Sequence, residues 1–172
     1  TAQGAKRGRV AILTGCAQPV LKPSINEATI DLLTRLGVEI VRPAGEACCG
    51  ALVHHMGRED DSLDAARNNV DVWTREMDGE GLDAIIITAS GCGTTIKDYG
   101  HMLRLDTAYA DKAAKVSELT MDVNEYLATI ELPKPTHRPA MTVAYHSACS
   151  MHHGQKIVHQ PKILLRQAGG SV

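Results

Sequence analysis

Phenylalanine is missing altogether, and aromatic residues make up only 3% of the 172-residue chain. A core without them must be built from Leu, Ile, Val, Ala and Met, which suits helices packed on a parallel sheet better than an aromatic-rich sandwich. Acid and base are nearly balanced, at a formal net charge of -2. There is thus no electrostatic case for a nucleic-acid partner or an anionic membrane. No apolar run approaches the roughly 18 residues of a membrane span. The glycines show neither G-x-G-x-x-G nor Walker spacing, which leaves nucleotide binding unsupported. C-x-x-C is absent as well, and with it the close knuckles that usually hold zinc.

What is present is enough for one domain, or one domain with an appendage. A hydrophobic fraction of 44% supplies a core without disulfide staples. Residues 1–8 lack an apolar signal-peptide core and read as a linker entered in mid-protein. An odd number of cysteines, five, without such a signal fits a reducing compartment, so the expected location is cytoplasmic.

Hydrophobic patterning alternates strand and helix. Residues 9–14, 38–41, 82–88 and 141–145 are short apolar or β-branched runs that predict strands. Between them, Ser24 and Glu27 have the spacing of a capping box. Ile25, Ala28, Leu32 and Leu36 are expected to face inward with Thr29 and Leu33 beside them, and Gly37 to end that helix. Apolar steps of three and four from Leu63 to Met77 predict a long amphipathic helix. Further helices are expected near 94–103, 109–116, 121–130 and 155–167, with a proline-rich crossing loop at 132–139. The order implies right-handed crossovers and an α/β fold: a mainly parallel sheet covered by helices.

Cys16, Cys48, Cys49, Cys92 and Cys149 each fall just past the carboxyl end of a predicted strand, with spacing C-x31-CC-x42-C-x56-C. In a parallel sheet those ends share one edge, where open α/β folds place their ligands. Helices starting after each cysteine loop would aim N–H groups at that edge and favour thiolates. Adjacent cysteines such as Cys48-Cys49 bridge to each other only with strain. The pair therefore points to a metal centre or to redox thiols with separate partners. By softness, thiolates suit zinc and iron–sulfur clusters alike. Ligands spread over several strand ends favour the larger object, an iron–sulfur cluster, with zinc as the alternative. His54-His55, His146 and His152-His153 lie in the same loops and are read as polar or hydrogen-bonding residues before they are read as ligands. Tyr99, Tyr109 and Trp73 are read as packing.

Together, Gly15-Cys16-Ala17-Gln18-Pro19, Cys48-Cys49-Gly50, Ser90-Gly91-Cys92-Gly93 and Tyr145-His146-Ser147-Ala148-Cys149 with His153-Gly154-Gln155 resemble the cysteine-rich CCG module. The variant they are most similar to is that of glycolate oxidase iron–sulfur subunits; heterodisulfide reductase B subunits and lactate-utilisation proteins share the module. The resemblance implies cofactor binding by Cys16, Cys48, Cys49 and Cys92, with a [4Fe-4S] cluster as the cofactor. It implies a first repeat over 9–139 and the start of a second, truncated repeat over 140–172, in which Cys149 is a further candidate metal ligand. It also implies a piece of a longer electron-transfer subunit that takes electrons from flavin-containing subunits oxidising a 2-hydroxy acid. Such a complex would pass them towards the respiratory chain, peripheral to the inner membrane. Thr95 departs from the heterodisulfide reductase pattern, standing where a second cysteine of C-x-x-C would be. The bare thiols also leave open thiol–disulfide chemistry at Cys48-Cys49 and a structural or docking role.

Overall fold

Side-chain alternation along short buried strands divides the core in two. The computed structural model describes residues 2–137 and 141–172. Thr1, Arg138, Pro139 and Ala140 lie outside the described residues, and with them the expected boundary between 9–139 and 140–172. The first half contains β1 (Gly8–Ile12), α1 (Gln18–Leu21), α2 (Ser24–Arg35), β2 (Val38–Val41), α3 (Ala51–His55), α4 (Glu59–Asp78) and β3 (Ala84–Ile87). Then come α5 (Ser90–Lys97), α6 (Tyr99–Met102), α7 (Ala110–Leu119), β4 (Thr120–Asp122), α8 (Val123–Thr129) and β5 (Met141–Thr142). A π-helical turn (Ser150–Gly154), α9 (Gln160–Gln167) and β6 (Gly170–Ser171) complete the order.

The main sheet has four parallel strands in the order β2-β1-β3-β4. Successive side chains point to opposite faces. Ala11, Ile85 and Ile87 therefore enter one core with Ala66, Val70 and Trp73 of α4, Ile96 of α5, and Ala113 and Val116 of α7. Val10, Ile12, Ala84 and Ile86 enter the other with Leu33 of α2 and Tyr126 of α8. Burial on both faces is why these strands read as unbroken apolar runs, and the expected α/β class and helix-covered parallel sheet are observed. Among the described residues, no helix is long and apolar enough to cross a membrane.

Three details differ from the sequence reading. The fourth strand is Thr120–Asp122, not 141–145. At three residues it is too short to show a period, and Asp122 leads straight into α8 through a capping box with Glu125. Met141–Thr142 instead pairs in parallel with Gly170–Ser171 in a separate two-stranded sheet. The second difference is at the start of α2, where Ser24 makes no capping bond. Pro23, already in a helical conformation, is the N-cap residue and moves Ser24 into the first turn. The third is the rotation of α2. Asn26, Thr29 and Leu33 face in, while Ile25 and Leu32 remain 43% and 39% exposed. Asn26 causes the turn, because its side chain reaches the carbonyl of Thr14 at 3.1 Å and accepts from Thr88 at 2.6 Å.

Leu33 is completely buried where α2 meets the sheet. Leu33→Ala should lower unfolding free energy by about 2–5 kcal/mol, measured by urea titration of the far-UV circular dichroism signal.

Candidate functional site

Three loops leave the carboxyl edge of the main sheet and carry thiols towards one another. Cys16 follows β1, Cys48 and Cys49 follow β2, and Cys92 occupies the first turn of α5 after β3. The Cys16 and Cys48 sulfurs stand 3.4 Å apart, in hydrogen-bond contact. Cys49, only 2% exposed, forms a second close pair with Cys92. The two pairs also feel each other, since Cys16 and Cys48 oppose ionisation of Cys92 through space. Four of the five cysteines thus converge as expected.

Their electrostatics follow from this pairing. The contact with Cys48, then burial, pushes the Cys16 thiol up. The hydrogen bond to Cys92, then burial, pushes the Cys49 thiol up strongly, and the same bond holds Cys92 below the usual thiol range. Of this pair, Cys92 is the more readily ionised. The first helical turn, with its free backbone N–H groups, also favours an anion there.

Each loop has its own polar support. At the Cys48-Cys49 loop, the Ala47 N–H donates to Asn69 Oδ1 (3.0 Å), and Asn69 Nδ2 donates to the Cys48 carbonyl (3.1 Å). Tyr99 Oη donates to the Cys49 carbonyl at 2.8 Å and accepts from Asn69. Both side chains are fully buried, and burial pushes the Tyr99 hydroxyl pKa up, keeping it a donor. Gly50 closes the loop at φ +82°, where a Cβ would lie 3.1 Å from the Ser62 carbonyl oxygen. At the Cys16 loop, Gln18 Nε2 donates to Asn26 Oδ1 (2.8 Å) and to Thr88 Oγ1 (2.6 Å), tying the loop to the end of β3. Glu46 joins the first two loops by accepting from the Thr14 N–H at 2.7 Å, and burial pushes its carboxyl pKa up.

These supports were missed in the sequence reading. Asn69 had a usable signal, a polar residue among the inward positions Ala66, Val70 and Trp73. Tyr99 packs as expected and also bonds the cysteine loop. A largely apolar cavity of about 290 Å³ opens beside the thiols, with Cys16, Cys92, Leu21 and Ile25 among its lining residues. Among the described residues, no three His, Cys, Asp or Glu side chains are arranged to hold a single metal ion.

Cys149 stands apart from the expected arrangement. It is exposed and precedes the π-helical turn, and β5 before it does not belong to the main sheet. The turn nevertheless docks on α5, with Ser150 Oγ 2.8 Å from Ser90 Oγ. His54, His55, His146 and His153 are exposed. His152 Nδ1 lies 3.3 Å from Ser147 Oγ.

Comparison with curated proteins finds three informative relatives. The chain is 46% identical over 160 residues to the glycolate oxidase iron-sulfur subunit of Escherichia coli K12, covering 92% of the chain and 39% of that protein. It is 28% identical to the probable glycolate oxidase iron-sulfur subunit of Bacillus subtilis, covering 98% of the chain and 37% of the relative. It is 24% identical to lactate utilization protein A of Bacillus licheniformis, covering 94% of the chain and 66% of the relative. The chain thus spans under two fifths of the length of each of the first two relatives.

Tyr99→Phe removes the donor to Cys49 and an acceptor for Asn69, and should cost about 1–3 kcal/mol of stability. Backbone amide exchange at 47–50 should quicken in the same variant, measured by hydrogen–deuterium exchange. The family match falls on the part of the molecule that builds this centre. A model of the CCG cysteine-rich domain matches residues 10–97, from within β1 to the last residue of α5, and the chain belongs to that family.

Proposed function

We propose that the chain is the cysteine-rich electron-transfer part of an iron–sulfur subunit in a 2-hydroxy acid oxidase complex. The observation that carries this reading is the convergence of Cys16, Cys48, Cys49 and Cys92 from three separate loops onto one edge of the sheet. The iron-sulfur names of the glycolate oxidase relatives support the cofactor class, and the name of the lactate utilization protein supports the hydroxy acid context.

The residues fit a cluster by two criteria. Four thiols satisfy the ligand set of a [4Fe-4S] centre. Gly15 and Gly91, beside Cys16 and Cys92, face open space, with nothing within 4 Å of an added Cβ. Backbone there leaves room for a bulky group. When bound, a cluster supplies one-electron redox chemistry at a potential tuned by hydrogen bonds and exposure.

The chain's own residues then divide the work. Cys49 presents sulfur from the buried side and Cys16 from the exposed side, with Cys48 and Cys92 half-buried between them. Asn69, Tyr99 and Gln18 orient the loops, as partners behind metal ligands generally do. Leu13, Leu21 and Ile25 give one flank of the thiols an apolar lining. Oxidation of the hydroxy acid belongs, in this reading, to flavin-containing partner subunits, and the complex sits peripherally at the membrane. A second repeat beginning in 140–172 remains part of the proposed organisation.

Anaerobic reconstitution with iron and sulfide should give brown protein with a cluster signal in electron paramagnetic resonance. Cys49→Ser should remove most of the bound iron, and Cys149→Ser should leave it at the wild-type level. Stoichiometric zinc without a cluster signal would overturn the reading. In the loaded protein Cys149 should still react with iodoacetamide while the other four are protected, as read by peptide mass mapping.

A further inference from the structure

The Cys16 and Cys48-Cys49 loops are braced by residues no further along the chain than Tyr99, whereas Cys92 is gripped by residues 150–155, well beyond the family-matched region. Gln155 Nε2 donates to the Ser90 carbonyl at 2.9 Å, and Ser150 Oγ donates to Ser90 Oγ at 2.8 Å. Thr94 Oγ1 donates to the Ser150 carbonyl at 3.2 Å. Residues 90, 93 and 94 surround Cys92 in sequence, and all three touch this later segment.

The close approaches are reciprocal. A Cβ on Gly93 would lie 2.8 Å from Gln155 Nε2 and 3.0 Å from Oε1. A Cβ on Gly154 would lie 3.1 Å from Thr94 Cγ2. Glycine at each position lets the two backbones meet. Gln155 is 9% exposed, and its Oε1 has no hydrogen-bond partner. For packing alone, that is a costly choice. A methionine would fill the same gap without an orphaned oxygen. The carboxamide does what a methionine cannot, holding the Ser90 carbonyl and thus the turn that carries Cys92. π-Helical turns such as Ser150–Gly154 are frequent at functional sites.

We propose that the segment Ser150–Gln155 is a positioning element of the thiol centre, with Gln155 fixing where Cys92 presents its sulfur. Residues assigned from sequence to the start of a second repeat therefore serve the first centre. The inference rests on the reading that Cys92 belongs to a ligand set, and its test separates the two.

The full chain is prepared as wild type, Gln155→Ala, Gly93→Ala and the double variant. In reduced, cofactor-free protein, iodoacetamide labelling of Cys92 and Cys16 is followed by peptide mass mapping. Each single variant should label Cys92 about fivefold faster, the change that loss of one hydrogen bond makes in a local opening equilibrium. Cys16 should stay within about twofold of wild type. The double variant should match Gln155→Ala, because the new alanine methyl occupies space the carboxamide has left. After anaerobic reconstitution, the paramagnetic resonance signal or midpoint potential of the Gln155→Ala protein should shift.

Unchanged Cys92 labelling, equal acceleration at Cys16, or a reconstituted signal and potential identical to wild type would each overturn the proposal. Should the wild type take up no cluster, the electron-transfer reading falls and the labelling still decides the positioning role. Ser150→Ala, which removes only the hydroxyl contact to Ser90, applies the same labelling criterion if the other variants fail to fold.

Discussion

A loop carrying two adjacent cysteines can be drawn into a protein only if its peptide groups keep hydrogen-bond partners. In this chain the partners are Asn69 and Tyr99. The Asn69 carboxamide serves Ala47 and Cys48, and the Tyr99 hydroxyl serves Cys49. Without them, the Cys49 carbonyl would enter an apolar core unsatisfied, and the pair could not face Cys16 and Cys92 together. The rest of the site is arranged around that held loop. α4 and α6 supply the two clamps, and Glu46 ties the loop to the end of β1.

Polar satisfaction also explains where the protein departs from simple amphipathic design. Asn26 turns α2 so that its carboxamide meets Leu13, Thr14, Gln18 and Thr88. The rotation leaves Ile25 at the edge of the cavity beside Cys16. Val20 and Leu21 are even more exposed, at 81% and 79%. The hydrogen-bond network around the cysteine loops outweighs the gain from burying a few more methyl groups on α2. That ordering is expected where buried polar groups have no access to water.

The centre of the sheet was legible because β1 and β3 are buried on both faces and read as apolar runs. Residues 84–87 are the plainest case. The convergence of Cys16, Cys48, Cys49 and Cys92 followed from the same logic, since parallel strands place their carboxyl ends along one edge. Cys149 did not follow it. The run at 141–145 has the composition of a core strand, yet only Met141–Thr142 pairs, and with Gly170–Ser171 rather than β3 or β4. Composition records that a segment favours extended structure; it does not record which neighbour it finds. The short β4 was hidden for the opposite reason, being three residues between two helices.

The amino-acid sequence by itself determined the fold class, the thiol edge and the family, because apolar periodicity and the multi-part cysteine motif are local properties of the chain. Only the tertiary structure decided how the thiols pair, Cys16 with Cys48 and Cys49 with Cys92, and which side chains hold their loops. It alone brought Gln155 against Gly93, across 62 positions of sequence. Hydrogen bonds between residues so far apart leave no periodic trace. They arise when packing brings a buried donor and acceptor to the same place, and burial makes leaving either one unpaired too costly.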